Sequence, residues 1–119
     1  MFVVTLARIE TRRVDERRLV PRVLVDLNVR LRLPKLDVAY LGRSINISIR
    51  GMYVLVDGLT PVGTSLDVDL CAIGALVPMQ LRGRVIRHGS GDEPSGMGLM
   101  FDWISPEAVV FIERLVSRS

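Results

Sequence analysis

Two short polar runs carry the chemistry that this chain of 119 residues offers. The first is Arg17-Arg18-Leu19-Val20-Pro21-Arg22, with Arg18 and Arg22 four positions apart. Pro21 fixes its own φ and disfavours helix at Val20. The two guanidinium groups therefore belong to an extended or turning segment and can reach around a ligand rather than stack on one helix face. Guanidinium is a planar fork of donors that pairs bidentately with phosphate or with a purine edge. The second run is Asn46-Ile47-Ser48-Ile49-Arg50-Gly51. Side chains two apart in an extended chain share a face, so Asn46 and Ser48 offer an amide and a hydroxyl to one ligand edge. Gly51 permits a positive-φ turn or a close backbone approach that a side chain would block. Each run alone also has a plainer reading: a basic arm before a strand, and an Asx or Ser turn. Asn46-Ile47-Ser48 fits the glycosylation pattern too, which needs a secreted protein.

Catalytic constellations are missing from the sequence. His88 is the single histidine, it borders a Gly-rich stretch, and no nucleophile with a spaced base accompanies it. Cys71 is the single cysteine, so it can neither form an internal disulfide nor share a zinc with a second thiol. It follows alternating Leu66, Val68 and Leu70 and reads as a core or strand-end thiol. Asp67 and Asp69 lie on the opposite strand face and read as a solvated edge that discourages strand pairing. There is no P-loop and no Gly-rich dinucleotide fingerprint. The expectation is a binding module with no catalytic residues, no metal and no cofactor, rather than an enzyme.

The formal net charge is +3, and fifteen of the sixteen basic residues are arginine, with Lys35 the exception. A GC-rich genome and a chemical need for guanidinium would both produce that bias, and composition does not separate them. An anionic partner suits the charge. Residues 8–22 hold six arginines against three acids, a local excess equal to that of the whole chain. Residues 1–16 read as a flexible charged arm. No apolar run approaches the roughly 18 residues of a membrane span. The apolar start, Met1 to Ala7, is short and lacks the basic region of a signal peptide. A soluble, cytoplasmic protein without membrane insertion is expected.

The elements that must position these residues are mostly strands. Val23, Val25, Leu27, Val29, Leu31 and Leu33 alternate with Leu24 and polar residues, and Pro34 ends the run. Further strands are expected over Val38 to Ile45, Met52 to Asp57, around Leu66–Leu70, over Val77 to Arg87 and over Met97 to Asp102. Gly83 suggests a bulge or sharp bend in the fifth. Ser105 before Pro106 marks the N-terminus of a helix over 105–117, with Glu107 at the positive end of its dipole. Ala108, Phe111, Ile112, Leu115 and Val116 share one face, which packs either on the same barrel or across a homodimer. Short strands with regular turn signals predict an all-β fold with a C-terminal helix, closed as an antiparallel barrel.

In this order and on this strand pattern the two runs resemble the PilZ family, whose hallmark is R-x-x-x-R followed by [D/N]-x-S-x-x-G. Arg18 and Arg22 match the first motif; Asn46, Ser48 and Gly51 match the second. Leu81-Arg-Gly-Arg-Val-Ile-Arg87 and Gly98-Leu-Met-Phe101 are similar to later family strands. The resemblance covers nearly everything beyond about Val14 and implies a six-stranded antiparallel β-barrel domain over 17–119. It implies a ligand, cyclic di-GMP, with Arg18 and Arg22 on phosphate oxygens and the Hoogsteen edge of guanine. Guanine O6 and N7 suit a guanidinium fork. Asn46 and Ser48 would meet the guanine edge and Gly51 would shape the turn. Arg17 stands where the family tends to hold an intercalated ligand dimer. Asn46 replaces the commoner aspartate, losing a charge and adding donors; asparagine is an accepted family variant, and whether it weakens binding stays open.

The implied function is a cyclic di-GMP receptor or effector that changes its N-terminal arm on binding and signals to an unidentified protein partner. Motility, exopolysaccharide and virulence control are what the family usually serves. The rival from the same fold is an interaction module that does not bind nucleotide. A nucleic-acid-binding barrel would explain the basic charge, but such barrels stack bases on exposed aromatics, and this chain is only 5% aromatic.

Overall fold

The computed structural model describes residues 22–36, 38–72 and 77–118. The expected charged arm at 1–16, and Arg17 and Arg18 after it, lie outside the described residues. Six strands follow in order: β1 (Arg22–Leu33), β2 (Val38–Ser48), β3 (Gly51–Leu55), β4 (Ser65–Cys71), β5 (Met79–His88) and β6 (Gly96–Ile104). A helix, α1 (Pro106–Arg118), follows β6. The strands close into an antiparallel barrel in the order β1-β2-β3-β6-β5-β4.

The alternation in β1 drives the closure. Val23, Val25, Leu27, Val29 and Leu31 all point into the barrel and are buried. They meet Leu66, Val68 and Leu70 of β4, Leu81 and Val85 of β5, Met97 and Leu99 of β6, and Met52 and Val54 of β3 in one core. Each such side chain is worth about 1.5–3 kcal/mol when fully buried, so register is firmly set wherever the pattern is regular.

The sequence places β2 too short and β5 too early. β2 runs on through Ser48, because the second motif lies on the strand rather than in the connection after it. Val77, taken as the start of the fifth strand, is exposed and precedes it. The bend suggested by Gly83 is present as a register shift between Arg82 and Gly83, with Asp102 of β6 the extra residue. A second shift makes Ile86 the extra residue on β5 and leaves it exposed.

Asp67 and Asp69 do not form a solvated edge. Closure gives β4 a neighbour on both sides, and the two acids sit in an ion-pair belt around the barrel. Arg32 Nε and Nη2 donate to Asp69 at 3.2 and 3.0 Å. Arg32 also lies 3.8 Å from Asp67, which accepts from Arg82 Nε at 3.2 Å. Asp69 is buried, and its hydrogen bonds hold the Arg32 guanidinium above its ordinary value.

The helix begins where Ser105 and Pro106 predict. The Ser105 hydroxyl accepts from the Ala108 N–H at 3.2 Å and its carbonyl from the Val109 N–H at 3.0 Å. Ala108, Ile112 and Leu115 are buried in the barrel core, with Phe111 and Val116 packed against it. The apolar face thus lies on its own barrel, against β1, β2 and β5. Ile112→Ala is expected to cost about 2–5 kcal/mol. Val110→Ala, on the exposed face, should stay within about 0.5 kcal/mol. Urea denaturation of the two variants measures both.

Candidate ligand site

Three of the sequence-predicted site residues meet at one end of the barrel by strand pairing. Arg22 opens β1 opposite Ser48 of β2, and Leu24 lies opposite Asn46. Arg22 and Asn46 are therefore diagonal neighbours on the outer face, about 7–8 Å apart at Cα for such pairs.

Asn46 and Ser48 face outward because β2 changes phase just before them. Ser44 and Ile47 are both fully buried although three positions apart, which simple alternation forbids. The pairing with β3 shifts between Ser44 and Asn46, leaving Ile45 as an extra residue. This bulge sends Ile47 into the core and both motif side chains to the outside. Ser44 is satisfied locally, its hydroxyl donating to the Asn46 carbonyl at 3.0 Å. The Asn46 side chain is different: Oδ1 is buried and has no hydrogen-bond partner among the described residues.

Ser48 and Gly51 shape the hairpin. Ser48 is buried, and its Oγ accepts from the Arg50 N–H at 3.1 Å, closing the turn. That leaves the hydroxyl proton as what Ser48 can give a ligand. Gly51 is needed for close approach, not for a positive φ: a side chain there would press into the Leu99 carbonyl of β6. The Arg50 carbonyl accepts from the Phe101 N–H at 2.7 Å, so β6 supports the turn as well.

Beside Asn46 stands a group that the motifs do not include. Tyr53 of β3 is the cross-strand partner of Asn46 and faces outward, yet it is buried. The connection 89–95 between β5 and β6 covers it. The Tyr53 hydroxyl donates to the Pro94 carbonyl at 2.6 Å, and the Arg87 guanidinium lies over the ring, 5.2 Å from its centroid. Glu93 accepts from both terminal nitrogens of Arg87, at 2.8 and 2.9 Å, and from the Ser90 N–H at 2.9 Å. Gly89 and Gly96 leave room for the ring, since a Cβ on either would crowd it. Desolvation raises the Tyr53 phenol above its ordinary value, and the bonds from Arg87 and Ser90 bring the Glu93 carboxyl down to about 2.

The remaining candidates have structural partners. His88 donates from Nε2 to the Thr60 carbonyl at 2.6 Å, tying the segment after β3 to β5. Cys71 ends β4, and burial pushes its thiol up, the reverse of activation. Among the described residues no three His, Cys, Asp or Glu side chains converge as metal ligands. No described helix is long and apolar enough to cross a membrane.

A family model described as PilZ domain matches residues 12–118. Among known structures, Bacillus subtilis inhibitor of motility (MotI/DgrA) superposes with a TM-score of 0.70 at 21% identity, covering 87% of this chain and 52% of that one. The chain thus spans about half the length of that protein. The PilZ domain of YcgR from Escherichia coli, solved with c-di-GMP, gives 0.63 at 15% identity, covering 87% and 91%. The PilZ domain of CeSA from a cellulose-synthesizing bacterium gives 0.58 at 16% identity, covering 82% and 95%. At these identities the likeness is one of fold. No curated protein sequence matches the chain.

Two outcomes follow from the geometry. Gly51→Ala is expected to cost at least about 1–3 kcal/mol, as overpacking does, and a thermal melt reads it. The Glu93 carboxyl ionises at a lower pH in the folded chain than its ordinary 4.5. Its contribution is therefore complete above that pH and lost as pH falls through about 2. Proton NMR of the Ser90 amide should titrate near the lower value; a midpoint near 4.5 would mean that the Arg87–Glu93 pair does not form.

Proposed function

The chain belongs to the PilZ domain family, and within it we propose a receptor for cyclic di-GMP that passes the signal to a protein partner. One observation carries this reading. The Asn46 Oδ1, on the outer face diagonal to Arg22, is a buried acceptor without a hydrogen bond among the described residues. An unmet buried acceptor costs about 1–3 kcal/mol, and a guanine N–H donor would remove that cost. The ligand named with the YcgR PilZ domain contains guanine.

In this reading Arg18 and Arg22 take the phosphates and the Hoogsteen edge. Asn46 and the Ser48 hydroxyl take the guanine edge, with Gly51 holding the turn. Arg17 favours an intercalated ligand dimer. Ligand arriving beside these arginines changes the arm at 1–16, and the reshaped surface is what the partner reads. The protein acts as a cytoplasmic effector without chemistry of its own, in motility, exopolysaccharide or virulence control.

Calorimetry with cyclic di-GMP, against GTP and cyclic AMP, tests the reading. Selective binding at about micromolar Kd or tighter, near −8 kcal/mol, is expected for the wild type and is lost in the Arg18→Ala, Arg22→Ala double variant. About two ligands per chain would support the role of Arg17. Hydrogen exchange at 8–20 should slow on saturation; unchanged exchange would remove the arm from the mechanism. A wild type that does not bind leaves an interaction module of the same fold.

A further inference from the structure

An outward row of residues runs from the ligand site across three strands. Asn46 on β2 pairs with Tyr53 on β3, Tyr53 with Gly98 on β6, and Gly98 with Arg87 on β5. Gly98 supplies no side chain, and the Arg87 stem lies across it: a Cβ built there would be 3.2 Å from Arg87 Cγ. The guanidinium thereby crosses β6 to reach the Tyr53 ring, one strand spacing from Asn46, about 4.8 Å.

Arg87 is tightly held there. Tyr53 supports it from below, and Glu93 occupies both terminal nitrogens. With its terminal Nη1/Nη2 edge taken by Glu93, this guanidinium can meet a phosphate only from its Nε side. What it keeps is a planar cationic surface, and the Arg87 side chain is 48% exposed. Such a surface stacks on an aromatic system. A purine with its edge at Asn46 would extend along this row.

We propose that Arg87 is a further ligand-binding residue, its outward guanidinium face stacking on a purine base of the ligand, with Glu93 a positioning residue that keeps the face turned outward. The proposal rests on the cyclic di-GMP reading. It assigns part of the base recognition to a residue outside both motifs.

The test is cyclic di-GMP binding to the full chain. Arg87→Lys keeps the charge but removes the plane, and should weaken binding by about tenfold, the order of one desolvated cation–π contact. Glu93→Gln should weaken it severalfold while leaving Arg87 in place. Arg82→Lys, on the same strand but paired with Asp67, should bind as wild type. Thermal melts monitor folding of each variant, and Glu93→Gln, which alters an exposed carboxylate, keeps the test open should Arg87→Lys prove unstable. The Arg87 Nε–H resonance in proton–nitrogen NMR should move on saturation, whereas a merely structural Arg87 would leave it in place. Wild-type binding that falls with Arg22→Ala, but not with Arg87→Lys or Glu93→Gln, and with a stationary Arg87 resonance, overturns the proposal and leaves the receptor reading intact. A wild type that does not bind takes both down.

Discussion

Closure of a six-stranded sheet demands that every strand deliver apolar side chains inward at the level set by its neighbours. β1 meets that demand with an unbroken row from Val23 to Leu31. β2 meets it by changing phase at Ile45, an extra residue against β3 that stands opposite both Val25 and Asp26 of β1. Everything at the candidate site depends on this adjustment. Without the bulge, the phase of Ser44 would carry Asn46 and Ser48 into the barrel and expel Ile47. Burying a polar amide and a hydroxyl in an apolar core while exposing an isoleucine is opposed by both terms. The core therefore enforces the orientation of the site.

Two further consequences of closure lie on other parts of the surface. β4 acquires partners on either side, and its acids become the centre of a belt linking Arg32 and Arg82. The exposed Arg82–Asp67 pair contributes about 0–1 kcal/mol, whereas Asp69 is buried and depends on Arg32 to meet its carboxylate. The connection 89–95 is drawn onto β3 by the need to cover Tyr53, whose ring faces outward beside glycines that leave it space. Its closure combines a neutral hydrogen bond, a bidentate ion pair and a cation over a ring. The candidate site thus has a supported wall on the β6 side, with Arg22 opening β1 on the other.

Much of the fold was legible because its signals are local. Alternation in β1 and β4, the Pro34 stop, the Ser105–Pro106 helix start and the apolar face at Ala108, Ile112 and Leu115 need no knowledge of neighbours. The ends of β2 and β5 were less legible, since pairing partners decide where a strand stops. The second motif was visible as residue types, but its place on a strand was not. Tyr53, Arg87 and Glu93 gave no signal, because they lie 34 and 6 positions apart in the chain and only the β3-β6-β5 order brings them together. A glycine at 98 between them was the faintest hint.

By itself, then, the sequence determined the strands, the terminal helix, the basic entry and the residue types of the two polar motifs, all of which follow from periodicity, backbone restriction and side-chain chemistry over a few residues. Tertiary structure alone decided which face Asn46 and Ser48 present, why residue 51 must be glycine, what Asp67 and Asp69 pair with, and where Arg87 lies. Each of those depends on the distance between chain segments far apart in sequence, and that distance is set by barrel closure.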